Sequence, residues 1–111
     1  MSAFVVVNPR SGGGRTRRQW PEIERALRDV YPNMSVVITQ RRGEATTLVR
    51  EALLEGCSEI VAVGGDGTIN EAVNGFFVEN GPISPDAVFA FVTSGTGGDF
   101  RKAFGIAPGH G

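Results

Sequence analysis

Cysteine and histidine are nearly missing from this sequence of 111 residues, which holds one of each. Cys57 alone forms no intramolecular disulfide, and with His110 as the lone histidine no His/Cys zinc site can be assembled. Redox and structural-zinc functions are excluded. Excess charge of either sign is missing too: eleven Lys and Arg face twelve Asp and Glu, a net charge of −1. A chain that coats nucleic acid through bulk positive charge needs more than that, so no nucleic-acid partner is expected. Long apolar runs are also absent. None approaches the ~18 residues of a membrane span, and Met1 to Asn8 lacks the basic leader and small-residue cleavage pattern of a secretory signal. These absences point to a soluble, cytoplasmic chain whose contact with the inner face of a membrane would be peripheral.

What is present suits one packed domain: 41% hydrophobic and 21% charged residues, with 16 glycines as the anomaly. Ala3 to Val7 is a continuous β-branched run that stops at Asn8-Pro9 and reads as a strand covered on both faces. Trp20, Ile23, Leu27, Val30 and Tyr31 recur at helical spacing and predict an amphipathic helix ending near Pro32. Met34 to Thr39 reads as a second strand. Ala45, Leu48, Val49, Ala52 and Leu53 follow as a second helix, with Gly56 at its C-terminal cap. Ile60 to Val63 is a third strand, and after Gly64-Gly65-Asp66-Gly67 comes a helix whose inner face carries Ile69, Ala72, Val73, Phe76 and Phe77. Asn80 to Asp86 reads as a loop and Ala87 to Val92 as a fourth strand. Beyond it lie a second glycine turn, Ser94 to Gly98, a short helix over Phe100 to Phe104, and a tail over Gly105 to Gly111.

Strands alternating with amphipathic helices predict right-handed βαβ units and an α/β fold, a three-layer α/β/α arrangement around an open, mostly parallel sheet. Ligands in such sheets sit beyond the carboxyl ends of the strands. The four strand ends lead into Asn8 to Gly14, Thr39 to Gly43, Gly64 to Thr68 and Thr93 to Gly98, which should converge on one rim.

Glycine lets backbone amides approach a phosphate, and a helix N-terminus favours an anion there. Gly65, Gly67 and Thr68 meet that need. Asp66 would repel phosphate unless a divalent cation lies between them, so a carboxylate in this turn suggests Mg²⁺, bound directly or through water. Asp99, in the second glycine turn, offers another carboxylate to the same rim. The plainer reading of Gly64 to Gly67 is a βα turn with an Asp helix cap. Arg10, Ser11 and Gly12 to Gly14 suit a loop that covers phosphates, or a solvated surface loop. Thr39 reaches toward a nucleotide or is structural, and Arg41 and Arg42 face phosphate, anionic lipid or solvent.

Neither G-x-G-x-x-G nor G-x-x-x-x-G-K-[ST] is matched, Asn70 standing where the first pattern wants its third glycine. The motifs in order instead resemble the diacylglycerol kinase catalytic family, which includes sphingosine and other lipid kinases. Asn8-Pro9-Arg10-Ser11-Gly12 is similar to its N-P-x-[SA]-G opening, and Thr39 with Gly43-Glu44-Ala45 to its T-x-x-x-G-[DE]-A segment. Gly64 to Gly75 resembles G-G-D-G-T-x-N-E-V-x-N-G almost throughout. Gly95 to Phe100 resembles G-T-x-N-D-F, with Gly98 in place of the usual Asn.

The resemblance implies an ATP-binding domain over residues 1–104 and a tail or linker over 105–111, leading to a β-rich domain that this chain lacks. It implies transfer of the γ-phosphoryl of ATP to a lipid hydroxyl such as that of diacylglycerol, with Mg²⁺. Contacts to ATP would come from Asn8, Pro9, Arg10, Ser11, Gly12, Thr39, Gly65, Asp66, Gly67, Thr68, Ile69, Asn70, Glu71 and Thr96, with Asp66 also catalytic. Asp66 and Asp99 would organise the metal and its waters. NAD kinases and phosphofructokinases share the G-G-D-G turn and a related fold, and a non-catalytic nucleotide-binding module is a third reading. Nothing in the sequence decides the oligomeric state, and a homodimer stays open.

Overall fold

Four short runs rich in Val, Ile and Phe become parallel strands because such side chains pack well on a pleated surface buried on both sides. The structure, a computed structural model, describes residues 3–78, 81–93 and 101–106. The strands are β1 (Phe4–Val7), β2 (Ser35–Ile38), β3 (Glu59–Gly64), β4 (Phe77–Val78), β5 (Gly81–Pro82), β6 (Val88–Thr93) and β7 (Arg101–Ile106). The helices are α1 (Arg15–Val30), α2 (Glu44–Leu54) and α3 (Asp66–Asn74). A five-stranded sheet runs β2-β1-β3-β6-β7, parallel except for β7, and β4 and β5 form a separate small hairpin.

Alternate residues divide the core into two layers. Val5, Val7, Val61, Val63, Ala90 and Val92 face Ile23 and Leu27 of α1. Val6, Ile60, Ala62 and Phe89 face Ala45, Val49 and Ala52 of α2 and Ala72 of α3, with Phe76 just beyond it. The expected three-layer α/β/α arrangement is therefore present. The chain leaves β1 toward β2 on one side, then returns past β1 to β3. That reversal between β1 and β3 opens a crevice at the carboxyl ends of the strands.

Three local expectations are corrected. The helix expected over Phe100 to Phe104 is not formed at its described residues: 101–106 are β7, antiparallel to β6 with Thr93 opposite Arg101. Five residues cannot repay helix nucleation, whereas the open edge of β6 offers a row of backbone partners. Phe77 does not continue the inner face of α3, because the helix stops at Asn74 and Phe77 enters the β4–β5 hairpin, 39% exposed. That hairpin also occupies Gly81–Pro82, inside the segment expected to be a loop. Among the described residues no helix is long and apolar enough to cross a membrane.

Candidate functional site

The register of the sheet decides which residues meet. Val7 is level with Ile38 and Val63, and Val63 with Val92. The residues that follow, Asn8, Thr39 and Gly64, therefore reach the rim together. A cleft of about 440 Å³ opens there, lined by Asn8, Arg10, Ser11, Thr39, Arg41, Arg42, Gly67, Thr68 and Glu71. Three segments far apart in sequence build one concavity.

Its floor is the first turn of α3. Gly65, in extended backbone at the N-cap, has no side chain with which to cap the helix. The first intrahelical bond runs from Ile69 N–H to the Gly65 carbonyl at 3.1 Å. Among the described residues, the N–H groups of Asp66, Gly67 and Thr68 donate to no acceptor. The start of α1 is different: its loop supplies carbonyls, so that Arg15, Thr16 and Arg17 donate to Gly12, Ser11 and Pro9 at 3.1–3.3 Å. One helix start is closed by its own loop and the other is left open. Open amides at the positive end of a helix dipole are an anion site.

The walls are close-fitting. A Cβ on Gly64 would lie 2.6 Å from Thr68 Oγ1 and 2.9 Å from Ser11 Oγ, and those hydroxyls are 3.3 Å apart. Only glycine at 64 lets the loop after β1 close against α3. Arg10 spans the two loops by donating from Nη1 to the Gln40 carbonyl at 2.7 Å, while its own amide donates to Asn8 Oδ1 at 3.0 Å. The Gln40 amide donates to Glu44 Oε1 at 2.6 Å. Arg41 and Arg42 are exposed on the cleft and not ion-paired among the described residues.

Of the residues singled out by sequence, Asn8, Arg10, Ser11, Thr39, Gly67, Thr68 and Glu71 line the cleft. Asp66 and Asn70 are exposed one helical turn apart on α3, on the stripe beside it. The side chain of Ile69 packs against the core, which leaves only its backbone for a ligand. Pro9 borders a second hollow, with Gly13, Gly14, Arg17, Arg18 and Arg10, the last of which lines both. Gly12 is exposed and lends its carbonyl to Arg15, and a Cβ on Gly65 would lie 3.8 Å from Ser11 Cβ. Thr96 and Asp99 lie outside the described residues.

A cation fits this floor in a limited way. No group of three or more His, Cys, Asp or Glu side chains gathers among the described residues. Asp66 alone, at the first position of α3, stands beside the open amides. One carboxylate with phosphate oxygens and water is a donor set that suits Mg²⁺, which rarely occupies an all-protein cage.

Sequence reasoning missed what holds α3 in place. On α2, Thr46 Oγ1 donates to the Glu71 carbonyl at 2.7 Å, and Arg50 Nη2 donates to the carbonyls of Asn74 and Phe77 at 3.4 and 3.3 Å. Gly75 lets the helices touch: a Cβ there would be 2.7 Å from the Thr46 carbonyl and 2.8 Å from Val49 Cβ. The last glycine of the motif thus answers to helix packing rather than to a ligand.

Residues 2–110 match the diacylglycerol kinase catalytic domain. A diacylglycerol kinase of Bacillus subtilis (strain 168) is 33% identical over 104 residues, covering 94% of this chain and 33% of that protein. One of Staphylococcus carnosus (strain TM300) is 34% identical over 101 residues, covering 91% and 32%. Among solved structures, a diacylglycerol kinase from Bacillus anthracis str. Sterne superposes with a TM-score of 0.68 at 27% identity, covering 86% of this chain and 31% of that one. The chain spans about a third of the length of these relatives.

Proposed function

The chain belongs to the diacylglycerol kinase catalytic domain family, and from that premise we propose that it is the ATP-binding portion of a lipid kinase. The complete enzyme would transfer the γ-phosphoryl of ATP to a lipid hydroxyl such as that of diacylglycerol. One observation carries this reading: the uncommitted amides of Gly67 and Thr68 at the floor of a cleft walled by three arginines, with that of Asp66 beside them at the start of α3.

In this reading those amides hold a phosphate group, and Arg10, Arg41 and Arg42 offset the charge of the rest of the chain of phosphates. Ser11 and Thr68 offer hydroxyls from two sides, while Asn8, Thr39 and Glu71 close the walls. Ile69 contributes its backbone, Gly65 the turn, and Pro9 and Gly12 the course of the loop. Asn70 extends the exposed stripe from Asp66, and Thr96 would add a contact from the second glycine turn. Asp66 and Asp99 would hold Mg²⁺ directly or through water. When bound, the metal supplies charge neutralisation at the transferring phosphate, and positioning supplies most of the remainder. A lipid acceptor places the working protein at the cytoplasmic face of a membrane as a peripheral visitor.

The test is transfer from radiolabelled ATP by the full-length native polypeptide, offered diacylglycerol, a sphingoid base, NAD and fructose 6-phosphate side by side. Label in a lipid supports the proposal. Label in NAD alone would replace it with an NAD kinase reading, and ATP binding without transfer to any acceptor would leave a nucleotide-binding module.

A further inference from the structure

We infer that Glu44 is a positioning residue for the cleft: its carboxylate holds the loop after β2 so that Arg41 and Arg42 stay on the cleft wall, and it does so without lining the cleft itself. The inference rests on reading the cleft as the nucleotide site, and it adds what keeps two of the three arginines in place.

The pairing of β2 with β1 ends where this loop begins, with the Thr39 N–H donating to the Val7 carbonyl at 2.8 Å. Past that point both backbone groups of Gln40 are gripped by charged side chains. The Gln40 N–H donates to Glu44 Oε1 at 2.6 Å, and the Gln40 carbonyl accepts from Arg10 Nη1 at 2.7 Å. The Glu44 N–H donates to the Arg41 carbonyl at 3.3 Å, a turn that brings the carboxylate back to the residue four places earlier. Arg10 is fixed in its own loop, its amide donating to Asn8 Oδ1 at 3.0 Å. Hydrogen bonds with one ionised partner are roughly twice as strong as neutral ones. Two of them therefore pin the chain directly before Arg41.

The pin is needed because Arg10, Arg41 and Arg42 carry like charge on one wall, and their repulsion drives an untethered loop outward. Glu44 itself is half-buried at the first position of α2. Charge and position then predict opposite signs for its removal. A carboxylate repels a polyphosphate, so by charge alone Glu44→Ala would tighten binding, by about twofold for charges roughly 10 Å apart in water. If the loop is released instead, the ligand must immobilise two arginine side chains as it binds, which costs roughly 5- to 150-fold in affinity for the pair. The second effect is the larger, so the net change is a loss. Alanine is a strong helix former, which keeps the start of α2 intact in the variant.

Calorimetric titration of the full-length native polypeptide with Mg²⁺-ATP tests this. Glu44→Ala should weaken binding about tenfold, whereas Glu44→Gln, whose amide oxygen still accepts from the Gln40 N–H, should stay within about threefold of the parent. In a variant that already carries Arg41→Ala and Arg42→Ala, adding Glu44→Ala should change affinity by less than about twofold, because the groups it positions are gone. Binding by Glu44→Ala as tight as the parent's or tighter, an equal loss for Glu44→Gln, or the full tenfold loss in the background without the two arginines would overturn the inference while leaving the nucleotide site in place. Failure of the parent to bind Mg²⁺-ATP would remove the nucleotide site itself, and the inference with it.

Discussion

Gly75→Ala puts the packing of α3 to a quantitative test. The position has φ −67° and ψ −17°, helical values that alanine adopts readily, so conformation alone favours the substitution by roughly 0.5–1 kcal/mol. Space opposes it. The new Cβ would lie 2.7 Å from the Thr46 carbonyl, 2.8 Å from Val49 Cβ and 2.9 Å from Val49 Cγ1. Ordinary carbon contacts need about 3.5–4.0 Å, so α2 and α3 must separate by roughly 1 Å. Neither neighbour can rotate away, one being helix backbone and the other a fully buried side chain. Overpacking of this kind costs about 1–3 kcal/mol, at the upper end when backbone is struck. The separation also strains the Thr46–Glu71 hydrogen bond. The balance is a loss of about 1.5 kcal/mol. Urea unfolding followed by the fluorescence of Trp20, which sits on the opposite face of the sheet, should show a midpoint about 1 M lower at unchanged slope. A midpoint equal to or above that of the parent would mean that propensity wins and that the helices are not in contact at Gly75.

Three further outcomes follow from the same geometry. Asp66→Ala should abolish most phosphoryl transfer by the full-length protein while leaving the unfolding free energy in urea within about 0.5 kcal/mol, since the side chain is exposed at the first position of α3; unchanged turnover with Mg²⁺-ATP would remove Asp66 from the mechanism. Gly64→Ala should lower Mg²⁺-ATP affinity about tenfold in calorimetry, because the added methyl drives Thr68 Oγ1 and Ser11 Oγ apart and into the cleft; full affinity would show that the loop after β1 is free to retreat. Thr46→Val should cost about 0.5–1 kcal/mol in urea unfolding by removing the donor to the Glu71 carbonyl, whereas Thr46→Ser should cost less by keeping it; equal losses for the two would assign the effect to packing.

The layered fold was legible because its strands are uniform. Four apolar runs are each broken by a polar or glycine turn; the three inner ones are largely buried, the edge strand β2 only in part, and helical stripes such as Ile23 and Leu27 supply the cover. Convergence of Asn8, Thr39 and the Gly67 to Glu71 turn on one rim followed from parallel strands of matched register. What lay beyond the sequence was tertiary. Residues 101–106 form a strand because β6 presents an open edge, which a local pattern cannot show. Arg41 and Arg42 were indistinguishable from solvated charge until the loop after β2 was seen beside α3. Ile69 and Pro9 sit within motifs yet turn their side chains away from the cleft, and Gly75 closes a motif for the sake of helix contact. A motif records which positions are constrained, and only the packing separates those that touch a ligand from those that hold the frame.

The most direct measurement is the amide signal of Asp66, Gly67 and Thr68 in proton–nitrogen spectra of the isotope-labelled native polypeptide as Mg²⁺-ATP is added. If the open first turn of α3 receives phosphate, these three resonances shift downfield together and their hydrogens become protected from exchange with water. If they stay in place at saturating nucleotide while others move, the ligand is held elsewhere and the anion site at α3 does not exist.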